Sequence, residues 1–357
     1  MKKIIALVLV FSLVFALAAC GGGGDSEPVG GDGPADEGKV YKMNVSFAAP
    51  EFSNPGITAA FERIQEASNG RIEFTYYYSW SLSSVPTVID DLNSGIVDIA
   101  AVPVTEHMNL FPYTNLVTYT PFLGLPGTMA AGDFFHELYH ENEAIQEEYE
   151  KAGVVYWTNY PLPPYNIYTT KDFAIKTPDD LNGLKLISSS ALMQQFIDSH
   201  GGAVVNAPVT EYATSLNTSV VDGVINHANV LAAFGALDFV NGATAFGDSG
   251  TALAILTMCI SENTWNDLPE DLQQLFLDEA DNLRHDQGAW DIENGQKNLA
   301  SIEEKGGTVT YLTEEEMKVW QDAFAEMLED YIAELNANGA TEAQNIYDQL
   351  MKKIANY

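Results

Sequence analysis

The chain has little positive charge and almost no cysteine. Its 357 residues include 16 Lys and Arg against 50 Asp and Glu, which gives a formal net charge of −34. Nucleic-acid binding needs clustered Lys and Arg, so this balance argues against a nucleic-acid partner. Two cysteines, Cys20 and Cys259, cannot build a disulfide framework. Because 46% of the residues are hydrophobic, the chain is not a disordered acidic protein, and its length suggests about two domains.

One apolar run opens the chain and has the form of an export signal. Two lysines precede an apolar stretch over residues 4–19 that is too short to be a confident membrane-spanning helix. The stretch ends in Leu-Ala-Ala-Cys, closing at Cys20, and this ending resembles the lipobox of bacterial lipoproteins. The resemblance implies that residues 1–19 are a signal peptide and that Cys20 is lipidated. The alternative is an ordinary signal peptide with an incidental cysteine.

Residues 20–38 have the composition of a flexible tether. Glycine, proline and acidic residues dominate them, and no basic residue occurs before Lys39. With Cys20 modified, Cys259 has no disulfide partner within the chain, so we expect a buried structural thiol. Removal of the two lysines of the signal leaves 14 basic residues, and the charge becomes 14 − 50 = −36.

From Lys39 onward, strand and helix patterns alternate, which predicts an α/β fold with mainly parallel pairing. The order repeats after about residue 165, and the turns at 94–99 and 218–223 are similar. We therefore expect a two-lobed periplasmic-binding-protein (Venus flytrap) fold with a ligand cleft between the lobes. The predicted strands are 40–47, 71–78, 96–102, 184–187, 203–206 and 221–226, and the predicted helices are 56–68, 85–93, 191–199 and 210–219.

The C-terminal third reads as helical. A run from Pro269 to about Lys305 predicts one helix of roughly 37 residues, or ~55 Å, long enough to bridge both lobes. Thr313 with Glu316 and Thr341 with Gln344 have the spacing of capping boxes. We predict that lobe I comprises residues 39–165 and 253–290. Lobe II, together with the C-terminal helices, comprises residues 166–252 and 291–357.

His136-Glu137-Leu-Tyr-His140 matches the H-E-x-x-H pattern of zinc hydrolases. Projection at 100° per residue places the apolar side chains of 135–149 on one side and both histidines on the opposite, solvent-facing side. No third ligand is identifiable in the sequence. A solvated helix face is therefore the preferred interpretation, and a zinc hydrolase remains an alternative.

No other motif in the sequence supports catalysis. A Gly-x-Ser-x-Gly motif is absent, and Ser188-Ser189-Ser190 lies at a strand-to-helix turn where serines commonly cap the helix. Those hydroxyls are also possible ligand contacts. Trp80, just past a strand, is expected near the cleft. We predict no catalytic residue, no metal and no cofactor.

From about Lys39 to its end, the chain resembles the solute-binding proteins of TRAP (tripartite ATP-independent periplasmic) transporters. The most specific match is the block at 176–186, Lys-Thr-Pro-Asp-Asp-Leu-Asn-Gly-Leu-Lys-Leu, against the family pattern T-P-x-D-L-x-G-x-K-I/L. Further matches occur, in the family's order, at 69–72, 92–98, 120–123, 210–223 and 265–273.

The chain departs from this family at the positions that bind a carboxylate. The resemblance implies an arginine at each of two positions that hold Ile187 and Ile167 here. Such arginines pair with a ligand carboxylate in a bidentate manner. The other pocket positions implied by the resemblance are Ser46, Val85, Val102, Val209 and Asn226.

Without those two guanidinium groups, a desolvated carboxylate would remain unpaired, at a cost of several kcal/mol. We therefore expect an uncharged or cationic, fairly apolar solute. Asn226, His227 and Ser46 would hold it, and Trp80 and Tyr165 would form aromatic walls that suit an amine. Lys171 or Lys185 as an anchor for a carboxylate is the alternative.

The resemblance implies capture and delivery of a small organic solute without covalent chemistry. The expected partners are the small and large membrane permease subunits, with the lipid anchor holding the protein at the outer face of the membrane or in the periplasm. A two-lobed binding lipoprotein that serves another class of transporter, or a sensor, is the alternative.

Overall fold

The structure is a computed structural model that describes residues 38–248, 250–252 and 254–357. The predicted signal peptide, Cys20 and all but the last residue of the predicted tether lie outside the described residues. Val40–Tyr357 forms one compact unit. No helix within it has the length and apolar character needed to cross a bilayer.

The strands form two mixed sheets. The strand bounds are β1 Tyr41–Ser46, β2 Ile72–Tyr77, β3 Ile99–Val102, β4 Val154–Pro161, β5 Asn166–Thr169, β6 Lys185–Ser188, β7 Ala203–Val204, β8 Gly223–Asn226, β9 Gly242–Ala245, β10 Ile255–Ser261 and β11 Thr308–Tyr311. The first sheet has the strand order β2-β1-β3-β10-β4, and the second has the order β11-β9-β5-β8-β6-β7.

Helices cover both sheets, as the alternating sequence pattern predicts. Their bounds are α1 Pro55–Ala67, α2 Val88–Asn93, α3 Pro112–Tyr119, α4 Thr128–Glu141, α5 Glu143–Lys151, α6 Ala191–Ser199, α7 Tyr212–Asn217, α8 Ala228–Ala233, α9 Glu262–Asp267, α10 Glu270–Glu304, α11 Glu314–Ala337 and α12 Ala343–Asn356. The predicted helix 210–219 is shorter than expected, because Val209–Glu211 forms a separate 3-10 turn before α7.

The pairing is more mixed than the predicted parallel layout. In the described residues, every antiparallel pairing involves β5 or β10. The chain enters each of these strands directly from the other sheet, through 162–165 or 246–254. A segment that crosses between the sheets enters the second sheet at the edge that faces the first sheet. The strand then runs away from that edge, opposite in direction to the neighbouring strands, so the pairing is antiparallel.

Helix α10 bridges the two lobes, as predicted. It has 35 residues, or about 52 Å at 1.5 Å per residue. It packs against α1 and β4 of the first lobe and against α8, β9 and β11 of the second. Glycines allow this close approach: a Cβ on Gly288 would lie 2.6 Å from the Pro161 ring, and one on Gly295 would lie 2.6 Å from Pro163.

One of the two predicted capping boxes is confirmed, and the structure shows a further one at Thr177. Thr177 caps the 3-10 turn Pro178–Leu181 in a capping box with Asp180. Thr313 accepts from the Glu316 amide at 3.2 Å, and Glu316 accepts from the Thr313 amide at 2.9 Å. The box predicted at Thr341 is wrong, because α12 begins two residues later and its N-cap residue makes no side-chain cap.

The last helix also departs from the predicted domain assignment. The prediction assigns residues 291–357 to lobe II, but α12 packs on α3 and α4, and α4 packs on β4 of the first sheet. Its buried residues Ala343, Ile346 and Leu350 supply the apolar face for that contact. Helix α11 therefore returns the chain from the second lobe to the first. The other boundaries remain a prediction.

Gly56, near the start of α1, sets how closely α1 and α10 pack. A Cβ at this position would lie 2.4 Å from the backbone nitrogen of Gln287, and backbone atoms cannot rotate away. We expect Gly56→Ala to lower the free energy of unfolding by ~2–3 kcal/mol in urea denaturation, although alanine is the better helix former. The control Glu66→Ala, on the exposed face of α1, should change it by less than ~0.5 kcal/mol. Equal stability of the two variants would contradict the packing argument.

Candidate functional site

The carboxyl ends of β1, β2 and β3 lie at one edge of the first sheet, because these strands are parallel. Ser46 ends β1, is fully buried, and its hydroxyl has no hydrogen-bond partner in the described chain. Val102 ends β3 and is also fully buried. Trp80 follows β2 and is half-buried, and its amide donates to the carbonyl of Phe47 at 3.0 Å. Three of the predicted positions thus share this edge.

Trp80 has a strained backbone. Its φ is 57°, and that of the preceding Ser79 is 53°, in the left-handed region that bulky residues avoid. Such strain persists only where the surrounding structure holds it, and it occurs often at ligand sites. The conformation supports the expectation that Trp80 serves the cleft.

The matching edge of the second sheet carries most of the remaining predicted residues. Asn226 ends β8 and pairs in register with Asn166, the first residue of β5. His227 follows Asn226, and Tyr165 precedes Asn166. Ile167 and Ile187, where the resemblance implies arginines, are fully buried within their strands and pack in the two hydrophobic clusters. Val209 is half-buried against the second of these clusters.

Asn226 is held in a defined orientation. Its side-chain carbonyl accepts from the His227 amide at 2.8 Å, and its amide group donates to the Tyr212 hydroxyl at 3.3 Å. An amide side chain can make further hydrogen bonds beyond these two. Asn226 therefore retains one donor and one acceptor position for a ligand.

An aromatic cluster surrounds Asn226 and spans the two lobes. The ring of His227 lies 5.4 Å from that of Tyr165, which lies 6.5 Å from that of Tyr119 in an edge-on arrangement. Tyr119 ends α3 of the first lobe, and its carbonyl accepts from the Ser190 hydroxyl of the second at 3.5 Å. A cavity of about 10 Å³ remains beside this contact, which is room for about one water. The lobes therefore touch at this point.

Burial keeps the cluster uncharged. It lowers the pKa of His227 to about 3, and the Nδ1 atom of that ring has no hydrogen-bond partner in the described chain. Burial also raises the pKa of Tyr119, Tyr165 and Tyr212 above the usual range for tyrosine, and the charge of Glu106 raises all three further. The exposed Glu106 carboxylate therefore lies near this cluster and makes its surroundings negative.

The arginines are engaged elsewhere. Arg63 pairs with Glu279 at 2.8 Å, Arg71 pairs with Asp271, and Arg284 pairs with Asp133 at 2.9 Å and Asp281 at 2.7 Å. All four of these ion pairs involve a residue of α10, and one of them also involves Asp133 of α4. These are the only arginines of the chain, so no guanidinium group lies at the Asn226 edge.

The lysines considered as alternative anchors lie at the wrong end of the second sheet. Lys185 begins β6, whereas Ser188 ends it at the cleft edge, a separation of ~10 Å at 3.3 Å per residue. Lys171 follows the far end of β5 and lies 3.8 Å from Asp222. Both side chains are exposed. Neither lysine reaches Asn226.

The H-E-x-x-H segment lacks the geometry of a zinc site. Contrary to the predicted solvent-facing position, His136 is half-buried and lies 3.1 Å from the Tyr156 hydroxyl, whereas His140 is exposed as expected. Glu137 instead accepts from Lys353 of α12 at 2.6 Å. The described part of the chain contains no group of three His, Cys, Asp or Glu side chains that could hold a metal ion.

Other predicted features are where the sequence placed them. Ser190 caps α6 by accepting from the Met193 amide at 3.3 Å. Cys259 is fully buried, and burial raises the pKa of its thiol to about 12. Sequence reasoning missed Tyr119, Tyr212 and Glu106 as site residues. Their positions in the sequence could have indicated them. Glu106 follows the end of the strand predicted at 96–102, Tyr119 precedes the motif at 120–123, and Tyr212 belongs to the motif at 210–223.

A groove of about 960 Å³ lies between α5, the end of α11 and the start of α12, and it shares Met108 and Tyr331 with the small cavity beside Tyr119. Polar and acidic side chains such as Glu143, Glu147 and Glu334 line much of it. Ligand sites of small molecules are mostly apolar with a few placed polar groups. The aromatic cluster around Asn226 fits that description, and this groove does not.

His227 makes stability depend on pH. Its pKa in the folded chain lies below the ordinary 6.5, so the unfolded chain binds the proton more readily and stability is lost as pH falls from about 6.5 toward 3. Between pH 7 and pH 4 the wild type should lose ~2–3 kcal/mol more than His227→Gln, measured by guanidinium denaturation at both pH values. The control His285→Gln removes a half-exposed ring and should follow the wild type. Equal losses in the wild type and His227→Gln would refute this.

The chain is similar to a known relative and to solved structures. A solute-binding protein of Chromohalobacter salexigens is 23% identical over 261 residues, which cover 72% of this chain and 75% of the relative. A TRAP solute-binding protein from an unidentified marine microbe, specific for aromatic acids, superposes with a TM-score of 0.80 at 19% identity, covering 90% of this chain and 99% of that one. One from Rhodoferax ferrireducens, with copurified benzoate, gives 0.76 at 18% identity, covering 89% and 98%.

The match to a family model is more extensive. The model for bacterial extracellular solute-binding protein, family 7, matches residues 56–335, which is more than half of the chain. This range includes the aromatic cluster, α10 and every strand of both sheets except β1. The family is one of solute receptors and not of enzymes. The chain belongs to the bacterial extracellular solute-binding proteins of family 7.

Proposed function

We propose that this protein is the extracytoplasmic receptor of a TRAP-type transporter, which captures a small organic solute between its lobes and delivers it to the small and large permease subunits. Family membership and the two-lobed fold support this role. The contacts of Tyr119 with Tyr165 and Ser190 support a solute site at this point, which closure of the lobes would enclose. No step of this mechanism makes or breaks a covalent bond.

The charge of the site carries our proposal for the solute. Solved relatives have bound β-D-galacturonate, D-glucuronate and benzoate, all carboxylates. Here the two positions that the resemblance implies to be arginine hold buried isoleucines, and the charge of Glu106 acts on all three tyrosines of the cluster. A carboxylate in this cleft would lose its hydration and meet a like charge. The solute is therefore uncharged or cationic.

The uncharged groups of the site suit such a solute. Asn226 offers a donor and an acceptor, and Ser46 and the Nδ1 atom of His227 are buried polar atoms without a partner. Buried polar atoms normally have partners, so these two are candidates for ligand contacts. Tyr165 and Trp80 provide ring faces, which attract an ammonium group by cation–π interaction.

The N-terminal residues support attachment to a membrane. A lipidated Cys20 would anchor the receptor at the outer face of the cell membrane or in the periplasm, since each buried acyl methylene contributes ~0.8 kcal/mol. Residues 21–38 would then act as the tether that lets the folded unit reach the permease subunits. This arrangement leaves the cleft free to open and close.

The charge of the solute can be tested by thermal unfolding of the purified protein. Saturation at 100-fold over Kd stabilises the folded state by ~2.7 kcal/mol, which raises Tm by several degrees. We expect such shifts from some members of a panel of amines, quaternary ammonium compounds and neutral aromatic alcohols, and none from benzoate or D-glucuronate. The reverse pattern would refute the proposed solute class while leaving solute capture intact. As a matched pair, Glu106→Gln should reduce the shifts by amines only, and the exposed Glu143→Gln should reduce none.

The lipid anchor can be tested by fractionation of cells. We expect the wild-type protein in the membrane fraction and labelled by a radioactive fatty acid, and Cys20→Ser in the soluble fraction without label, because the substitution removes the acyl attachment site. The control Cys259→Ala removes the buried thiol and should stay with the membrane. Unchanged membrane association of Cys20→Ser would show that the cysteine is incidental.

A further inference from the structure

A chain of buried hydrogen bonds joins the two lobes through α10. Gln287 donates to one carboxylate oxygen of Asp291 at 2.8 Å, and Asn229 donates to the other at 3.0 Å. All three residues are buried, with 1–9% of their surface exposed. We refer to Gln287, Asp291 and Asn229 as the interlobe chain.

On the first lobe, Gln287 fixes the start of α1. Its side-chain oxygen accepts from the amides of Gly56 and Ile57 at 3.1 and 3.3 Å, and its amide group also donates to the carbonyl of Ser53 at 2.9 Å. These contacts use the donors and acceptors of the Gln287 side chain fully. The orientation of this amide is therefore determined, and it directs an N–H group at Asp291.

On the second lobe, Asn229 is fixed in the same way. Its side-chain oxygen accepts from Asn294 at 3.2 Å and from Asn298 at 2.9 Å, so its amide group must face Asp291. Asn229 is the second residue of α8, three positions after Asn226. A movement of the interlobe chain therefore moves the helix that begins at the solute site.

Asp291 meets donors from both sides. Two N–H donors suit the ionised carboxylate, whereas a protonated carboxyl group needs an acceptor for its own proton, and neither Gln287 nor Asn229 directs one at it. Burial opposes ionisation and outweighs the bonds to Gln287 and Asn229, so that the pKa of Asp291 is raised to about 7. The group thus changes its charge near neutral pH, in a position where both lobes contact it.

We infer that Asp291 is a positioning residue that sets the relative orientation of the two lobes, with the ionised form holding α8 firmly against the start of α1 and the protonated form releasing it. Its consequence for solute affinity rests on the proposed function. The orientation of the lobes itself can be measured without any solute, so failure of one idea is distinguishable from failure of the other.

The surroundings leave Asp291 as the group that titrates here. From β4, Tyr160 faces Asp291, and burial together with the Asp291 charge raises the pKa of Tyr160 well above the usual range for tyrosine. From α8 and the start of α1 the facing groups are amides, which do not titrate. Within the described residues, no Lys, Arg or His contributes to the pKa of Asp291.

The experiment measures the distance between the lobes by pulsed electron spin resonance. Nitroxide labels on Ile96→Cys in the first lobe and Val220→Cys in the second use exposed positions, in the chain with Cys20→Ser. Cys259 should stay unlabelled, because it is buried and its pKa is raised to about 12. We expect the distance distribution to be narrow at pH 8.5, and broader or displaced by about 2 Å or more at pH 5.5.

Variants of the interlobe chain identify its role. In Asp291→Asn, the new side-chain amide directs an N–H group at one of the two N–H donors, that of Gln287 or that of Asn229. Because two donors cannot pair, this variant should give the broad distribution at both pH values. The double variant Asp291→Asn with Asn229→Asp again places an acceptor opposite the donor in both side-chain bonds of the interlobe chain, although it loses the bond from Asn229 to the main-chain carbonyl of Asp291, and it should restore the narrow distribution at pH 8.5. Asp278→Asn, on the exposed face of α10, should behave as the parent does.

Three outcomes would overturn the inference. They are a parent distribution that is the same at both pH values, an Asp291→Asn variant that keeps the pH response, and a double variant that stays as broad as Asp291→Asn.

Thermal unfolding supplies a second measurement. Because the folded-state pKa of Asp291 is above its ordinary 3.8, this residue's stabilising contribution is present at low pH and is lost as pH rises through about 7. The decrease in Tm between pH 5 and pH 8 should therefore be smaller in Asp291→Asn.

Discussion

The close packing of one face of α10 is the constraint on which the other features depend. Gly288 and Gly295 allow the helix to touch the crossing segment at Pro161 and Pro163, and Gly56 allows α1 to meet its backbone. Larger side chains at these positions would separate helix and crossing by the radius of a methyl group or more. The buried Gln287 and Asp291 lie on the same face and reach both lobes only because the backbones are this close. A close-packed interior transmits such shifts instead of absorbing them.

The solute site follows from the topology that this packing preserves. Parallel strands bring their carboxyl ends to one edge of each sheet, and the crossing strands β5 and β10 join those edges. Asn226 and the tyrosines therefore meet although they are far apart in the chain. Under the proposed function, Ile167 and Ile187 would change the chemistry of the site without changing the fold, since both are buried in hydrophobic clusters. Fold and ligand class are separable properties in this family.

Local patterns predicted the elements well, and long-range contacts explain what they missed. The strand at 99–102, the helix at 191–199 and the capping box at Thr313 depend on neighbouring residues, which the sequence displays directly. The position of α12 against α3 and the half-buried state of His136 depend on partners more than a hundred residues away or on another element. Glu106 illustrates the same limit, because its role comes from three tyrosines that only the folded chain brings near it.

The overall charge and the site act on a solute at different ranges. A net charge of −36 on the chain from Cys20 onward attracts cations at long range and raises their rate of encounter, an effect that salt screens beyond ~8–10 Å. Discrimination at the site needs desolvated groups at contact distance, where screening is weak. In the proposed function, Glu106 and the uncharged aromatic cluster would provide this second effect, and a surface charge alone would not. A cationic solute would therefore gain from both effects, a neutral one from the uncharged contacts only, and a carboxylate from neither.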